Sequence, residues 1–89
     1  MIETKITIVN KLGLHARAAS KFVTTASAFG AEIKVNKDGQ IVDGKSIMSV
    51  MMLAASKGTE LALTFDGSDE QKAMDALTQL INNRFDEGE

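Results

Sequence analysis

The residues with chemistry to offer lie together near the start of the chain. His15 is the single histidine, and Arg17 follows it in the run Gly13-Leu14-His15-Ala16-Arg17, with Ala18 and Ala19 behind. The run stands where a strand-like segment gives way to a helix-like one. The first amides of a helix have no intrahelical acceptor, and the peptide dipoles leave that end positive, so anions bind there readily. The position points to His15 as a nucleophile that takes up a phosphoryl group and passes it on. The backbone of Ala16, Arg17 and Ala18 is the expected phosphate cradle. The Arg17 guanidinium adds a fixed charge and a fork of N–H donors suited to phosphate. Such a histidine has opposed duties: it attacks as neutral imidazole and must then release what it holds. The helix end and Arg17 are both placed to hold the added negative charge after transfer. A tight clamp would retain the phosphate, so a loose, partly exposed site is expected. A histidine that merely caps the helix is the structural alternative.

Composition removes several other chemistries. The chain has 89 residues, enough for one small domain over 1–89. Without cysteine there is no disulfide, thiol chemistry or cysteine metal site, and one histidine makes a dedicated zinc site unexpected. No metal and no cofactor are expected. The net charge of −2 and the absence of Tyr and Trp disfavour a nucleic-acid binder. No apolar run approaches the roughly 20 residues of a membrane span, and the chain starts on strand-like alternation rather than a signal-peptide pattern. The cytoplasm is the expected compartment, with no membrane insertion.

The elements that must hold His15 follow from periodicity. Residues 2–9 alternate, with Ile2, Thr4, Ile6 and Ile8 on one face. Asn10 to Gly13 reads as a loop. From Ala16 to about Ala28 the spacing turns helical, with Ala19, Phe22, Val23 and Ala26 on one stripe, Phe29 near its end, and Gly30 placed to stop it in a left-handed conformation. Residues 31–37 alternate around Ile33 and Val35. Asp38-Gly39 is a hairpin turn to a short strand at Gln40-Ile41-Val42. Lys57-Gly58 is a further turn. Residues 60–66 form a strand with Leu61, Leu63 and Phe65 inward. The last helix runs from about Asp69 to Asn83 on Ala73, Met74, Leu77, Leu80 and Ile81, opened by a capping box of Ser68 and Gln71. The acidic end, Asp86 to Glu89, reads as a frayed tail. The order is βαββαβα: a two-layer α/β sandwich, with a mostly antiparallel sheet wet on one face and helices on the other.

Ser46 is placed to cap a short helix over 47–54. That stretch is too apolar to face one core. Val50 and Leu53 are assigned to the core, and Ile47, Met48 and Met51 to a contact surface beside His15 and Arg17. Lys21, Lys45 and Lys11 would make a basic rim for acidic partners, giving salt-dependent association.

Two stretches, Leu12-Gly13-Leu14-His15-Ala16-Arg17 and Gly44-Lys45-Ser46-Ile47-Met48-Ser49-Val50-Met51 followed by Lys57-Gly58, resemble the histidine-containing phosphocarrier proteins, the HPr family, of the bacterial phosphotransferase system. The resemblance covers essentially the whole chain. It implies sheet order 1-4-2-3 with three helices on one face, and phosphate carried on the δ1 nitrogen of His15. It also implies receipt of that phosphate from phosphoenolpyruvate-charged Enzyme I and delivery to A-type enzyme II domains. Sugar-transport and nitrogen-regulatory branches both remain open. Family members are carriers with a phosphohistidine intermediate rather than stand-alone enzymes, and in many a dedicated HPr kinase/phosphorylase modifies the serine matching Ser46. A monomer is the simpler form for a shuttle. The family usually has proline where this chain has Ala18, in the first helical turn where a missing N–H costs little. The alternative function is a regulatory binding protein that acts mainly through the Ser46, Ile47, Met48 and Met51 surface.

Overall fold

Sheet registers show how alternation becomes a core. The computed structural model describes residues 1–86. Its strands are β1 (Ile2–Thr7), β2 (Glu32–Lys37), β3 (Gln40–Asp43) and β4 (Glu60–Asp66), and its helices α1 (Ala16–Ser27), α2 (Ile47–Met52) and α3 (Glu70–Asn82). A short 3-10 turn follows at Arg84–Asp86. The strand order is β1-β4-β2-β3 and every neighbouring pair is antiparallel. Leu61 faces Ile6 across β1 and β4, while Leu63 lies between Thr4 and Val35, and Phe65 between Ile2 and Ile33. A side-chain period of two puts these residues on one face. Against it lie Ala19, Phe22, Val23 and Ala26 of α1 and Ala73, Leu77 and Ile81 of α3, all buried. This is the open-faced sandwich expected from the alternation.

The Asp38-Gly39 turn has positive φ at both residues, 51° and 92°, as a type I′ hairpin requires. β1 stops as a regular strand at Thr7, yet pairing runs on: the Ile8 amide donates to the Thr59 carbonyl at 2.9 Å, and the Gly58 amide to the Ile8 carbonyl at 2.8 Å.

Three helix ends differ from expectation. Gly30 is not left-handed; α1 ends at Ala28, which keeps a right-handed helical φ of −72°. α2 is shorter than the apolar run, because Ala54 turns left-handed at φ 52°. The Ser68/Gln71 capping box does not form. Glu70 instead accepts from the Gly67 amide at 3.1 Å, and Asp69 accepts from the Gly30 and Ala31 amides at 2.9 Å each. Asp69 thereby ties the start of α3 to the exit of α1, and the amide of Gly30, followed by that of Ala31, holds its carboxyl below the ordinary carboxylate range despite partial desolvation. A lowered pKa stabilises the fold above the unfolded value, about 3.9 for Asp, and that contribution is lost as pH falls through the folded value. Asp69→Asn should therefore melt lower than the parent at pH 7, and the gap should close in acid below that range. A melting series by circular dichroism checks this; a gap that is independent of pH would remove Asp69 as the cause.

Of the acidic end expected to fray, Asp86 belongs to the 3-10 turn, and residues 87–89 lie outside the described residues. Arg84, Phe85 and Asp86 all have positive φ (55°, 52° and 62°), and Phe85 is fully buried. Burial of an aromatic ring offsets the backbone cost of these left-handed residues.

Candidate functional site

The start of α1 is set by the loop before it. Gly13 has φ 69°, and a Cβ there would lie 2.5 Å from the Ala55 carbonyl oxygen and 2.8 Å from the Ser56 Cα. Only glycine permits both the backbone angle and this approach. The neighbouring Leu14 amide donates to the same Ala55 carbonyl at 2.8 Å, and Leu14 is buried. Asn10, fully buried, donates from Nδ2 to the Gly13 carbonyl at 2.8 Å, closing the loop from inside. His15 is thus fixed by the segment that follows α2, as well as by its own helix.

His15 occupies the N-cap position with extended backbone, φ −73° and ψ 176°, and its side chain makes no capping hydrogen bond. It is half-buried. Its carbonyl accepts the first intrahelical bond, from the Ala19 amide at 2.8 Å. The amides of Ala16, Arg17 and Ala18 precede that bond. Ala16 and Arg17 are exposed, whereas Ala18 is fully buried. The methyl of Ala18 packs into the core, and its amide is the third of the helix start. Its place in the first turn is one where the N–H that proline lacks would not be missed. Among the described residues no group of three or more His, Cys, Asp or Glu is arranged to hold a metal ion.

α1 packs on α2, which carries the second motif. Ser46 is the N-cap of α2: its Oγ accepts from the Ser49 amide at 3.4 Å and lies 3.0 Å from the Ser49 Oγ. Val50 and Leu53 are buried, as expected. Ile47 and Met48 are exposed and Met51 is half-buried against the core. Met52 and Leu12, not singled out from the sequence, are also exposed. The helical spacing from Met48 to Met52 could have found the first of these.

Two lysines of the expected basic rim also tie elements together. Lys21 donates from Nζ to the Phe85 carbonyl at 2.8 Å, tying α1 to the C-terminal turn. Lys45 donates to the Phe29 carbonyl at 2.7 Å. Both are half-buried, whereas Lys11 and Arg17 are exposed. Lys37, which the sequence reading passed over, donates to the Leu53 carbonyl at 2.8 Å and braces the end of α2. A solvated lysine and one that reaches a carbonyl look alike in sequence.

A family model described as the PTS HPr component phosphorylation site matches residues 2–83. The chain is 58% identical, over the full length of both, to the phosphocarrier protein HPr of Neisseria meningitidis serogroup A. The crystal structure of HPr-C-His from Thermoanaerobacter tengcongensis superposes with a TM-score of 0.94 at 48% identity, covering 98% of each chain. The crystal structure of the HPr dimer from the same organism matches with a TM-score of 0.77 at 48% identity, over 96% of this chain and 98% of the other. The sequence motifs, the antiparallel 1-4-2-3 sheet and these matches have one conclusion: the chain belongs to the HPr family of phosphocarrier proteins of the bacterial phosphotransferase system.

Proposed function

We propose that this protein carries a phosphoryl group on His15, taking it from Enzyme I and delivering it to A-type enzyme II domains in the cytoplasm, and that it works as a monomer. The observation that supports this most strongly is the placement of the half-buried His15 at the N-cap of α1, beside the exposed Ala16 and Arg17, in a chain of the HPr family. The δ1 nitrogen of neutral His15 attacks the donor phosphorus, and the bond to the donor breaks as the new N–P bond forms. The Ala16 and Arg17 amides and the Arg17 guanidinium meet the phosphate charge. The site is open at the surface, so the phosphate is held by few contacts and can leave for the next acceptor. The regulatory-binding alternative ranks second because the high-identity match is to a phosphocarrier, over the full chain.

Arg17→Ala removes one charge-assisted contact and leaves an exposed helix position that tolerates alanine. It should slow transfer from Enzyme I by roughly 10- to 100-fold with the melting curve unchanged. Rapid-quench kinetics of the purified variant test this, and an unchanged rate would make Arg17 a solvated helix residue.

Ser46 is proposed as a regulatory phosphorylation site for an HPr kinase/phosphorylase. A negative charge there would stand next to exposed Ile47 and Met48, the proposed partner surface. Aspartate is itself a good N-cap, so Ser46→Asp should stay folded. Its docking to a partner with acidic groups at that surface should weaken about tenfold. Isothermal titration against Enzyme I checks this; equal affinity would leave Ser46 as a cap alone.

A further inference from the structure

We infer that Met48 and Met52 form an oxidation-sensitive pair on the docking face, so that peroxide lowers partner binding without unfolding the carrier. The inference rests on the carrier reading above. Met48 is 70% exposed and Met52 69% exposed, and one turn of α2 separates them, so both thioethers lie on one outward face. That face adjoins Ile47, itself 42% exposed. The helix is anchored through other residues. Val50 and Leu53 are buried, Ser46 caps its start and Lys37 holds its last carbonyl. Met51 and Met74 are partly buried and packed against the core, and Met1, 78% exposed, lies at the first residue, outside α2.

The chemistry is a two-electron oxygen transfer. A thioether sulfur attacks hydrogen peroxide, the O–O bond breaks, a sulfoxide forms, and water leaves after proton transfer. The soft apolar side chain becomes polar and chiral, a change that disrupts methionine-rich contact surfaces and that sulfoxide reductases reverse. On a buried methionine the same change would break the core. On Met48 and Met52 it alters only what a partner meets.

The test uses the whole protein under mild hydrogen peroxide, with peptide mapping, thermal melting and steady-state transfer from Enzyme I at varied carrier concentration. Sulfoxide should appear at Met48 and Met52 before Met51 and Met74, with the melting midpoint held. The KM for the carrier should rise roughly fivefold at unchanged kcat, as expected when contacts at a docking surface are lost. Sulfoxide reductases should restore KM. A double variant, Met48→Leu with Met52→Leu, should have the same KM before and after peroxide. Oxidation of Met51 and Met74 as fast as Met48 and Met52, or transfer unaltered with both sites fully oxidised, would overturn the inference. If the untreated protein accepts no phosphoryl group, the carrier reading fails and this inference with it, whatever the peptide map shows.

Discussion

His15→Ala should fold as the parent does and accept no phosphoryl group. The two halves of this expectation have separate causes. The imidazole is the only nucleophile of its kind in the chain, and no second histidine could substitute for it. The start of α1, however, has anchors other than the ring. The side chain makes no capping bond, and the helix entry is set by Gly13, the buried Leu14 and the Asn10 bond to the Gly13 carbonyl. Removing a half-buried side chain that does not cap should cost about 1 kcal/mol or less, a melting shift of a few degrees. Circular dichroism melting beside a phosphorylation assay separates the two. Full phosphorylation of the variant would move the acceptor elsewhere. A collapse of the melt would make His15 a structural cap.

Gly13→Ala should be the most damaging single-methyl change near the site. The new Cβ meets the Ala55 carbonyl oxygen at 2.5 Å and the Ser56 Cα at 2.8 Å, both backbone atoms with little freedom to retreat. The backbone angle of 69° adds its own strain for a residue with a Cβ. Together these should cost about 3 kcal/mol. For a domain of this size that lowers the melting midpoint by roughly 12–24 °C. The loss should extend to function. If the loop shifts to relieve the overlap, Leu14 loses its bond to Ala55 and His15 leaves the mouth of the helix. Melting and transfer rate should therefore fall together. A variant that melts like the parent would show that the loop yields easily, and His15 would then be positioned by α1 alone.

Much of this architecture was legible because it rests on periodicity. Alternation at Ile2 to Ile8 and Leu61 to Phe65, and the helical stripes of α1 and α3, are set by burial against a common core. Asp38-Gly39 carries its turn chemistry in two residues. His15 and Arg17 were legible because residue type and position at an element boundary together imply an anion. What the sequence hid depends on long-range geometry. Asp69 reaches the Gly30 and Ala31 amides across the fold, so the local capping pattern at Ser68 and Gln71 misled. Gly30 suggested a left-handed stop, but the chain leaves α1 under that tertiary bond instead. The bonds of Lys21 and Lys45 to the carbonyls of Phe85 and Phe29 carry no local signal either. Ala18 sits in the first turn of α1 by position and in the core by rotation about the helix axis. Phe85, the one aromatic beyond α3, anchors a turn of left-handed residues that no local signal announces.

The most direct test of the central claim is intact-protein mass spectrometry after incubation with phosphoenolpyruvate and Enzyme I, before and after brief acid treatment, with His15→Ala in parallel. The predicted result is one added phosphoryl group that acid removes and that the variant never acquires. No addition, with the same Enzyme I shown to charge another carrier, would contradict the account, and so would an acid-stable addition present in both proteins.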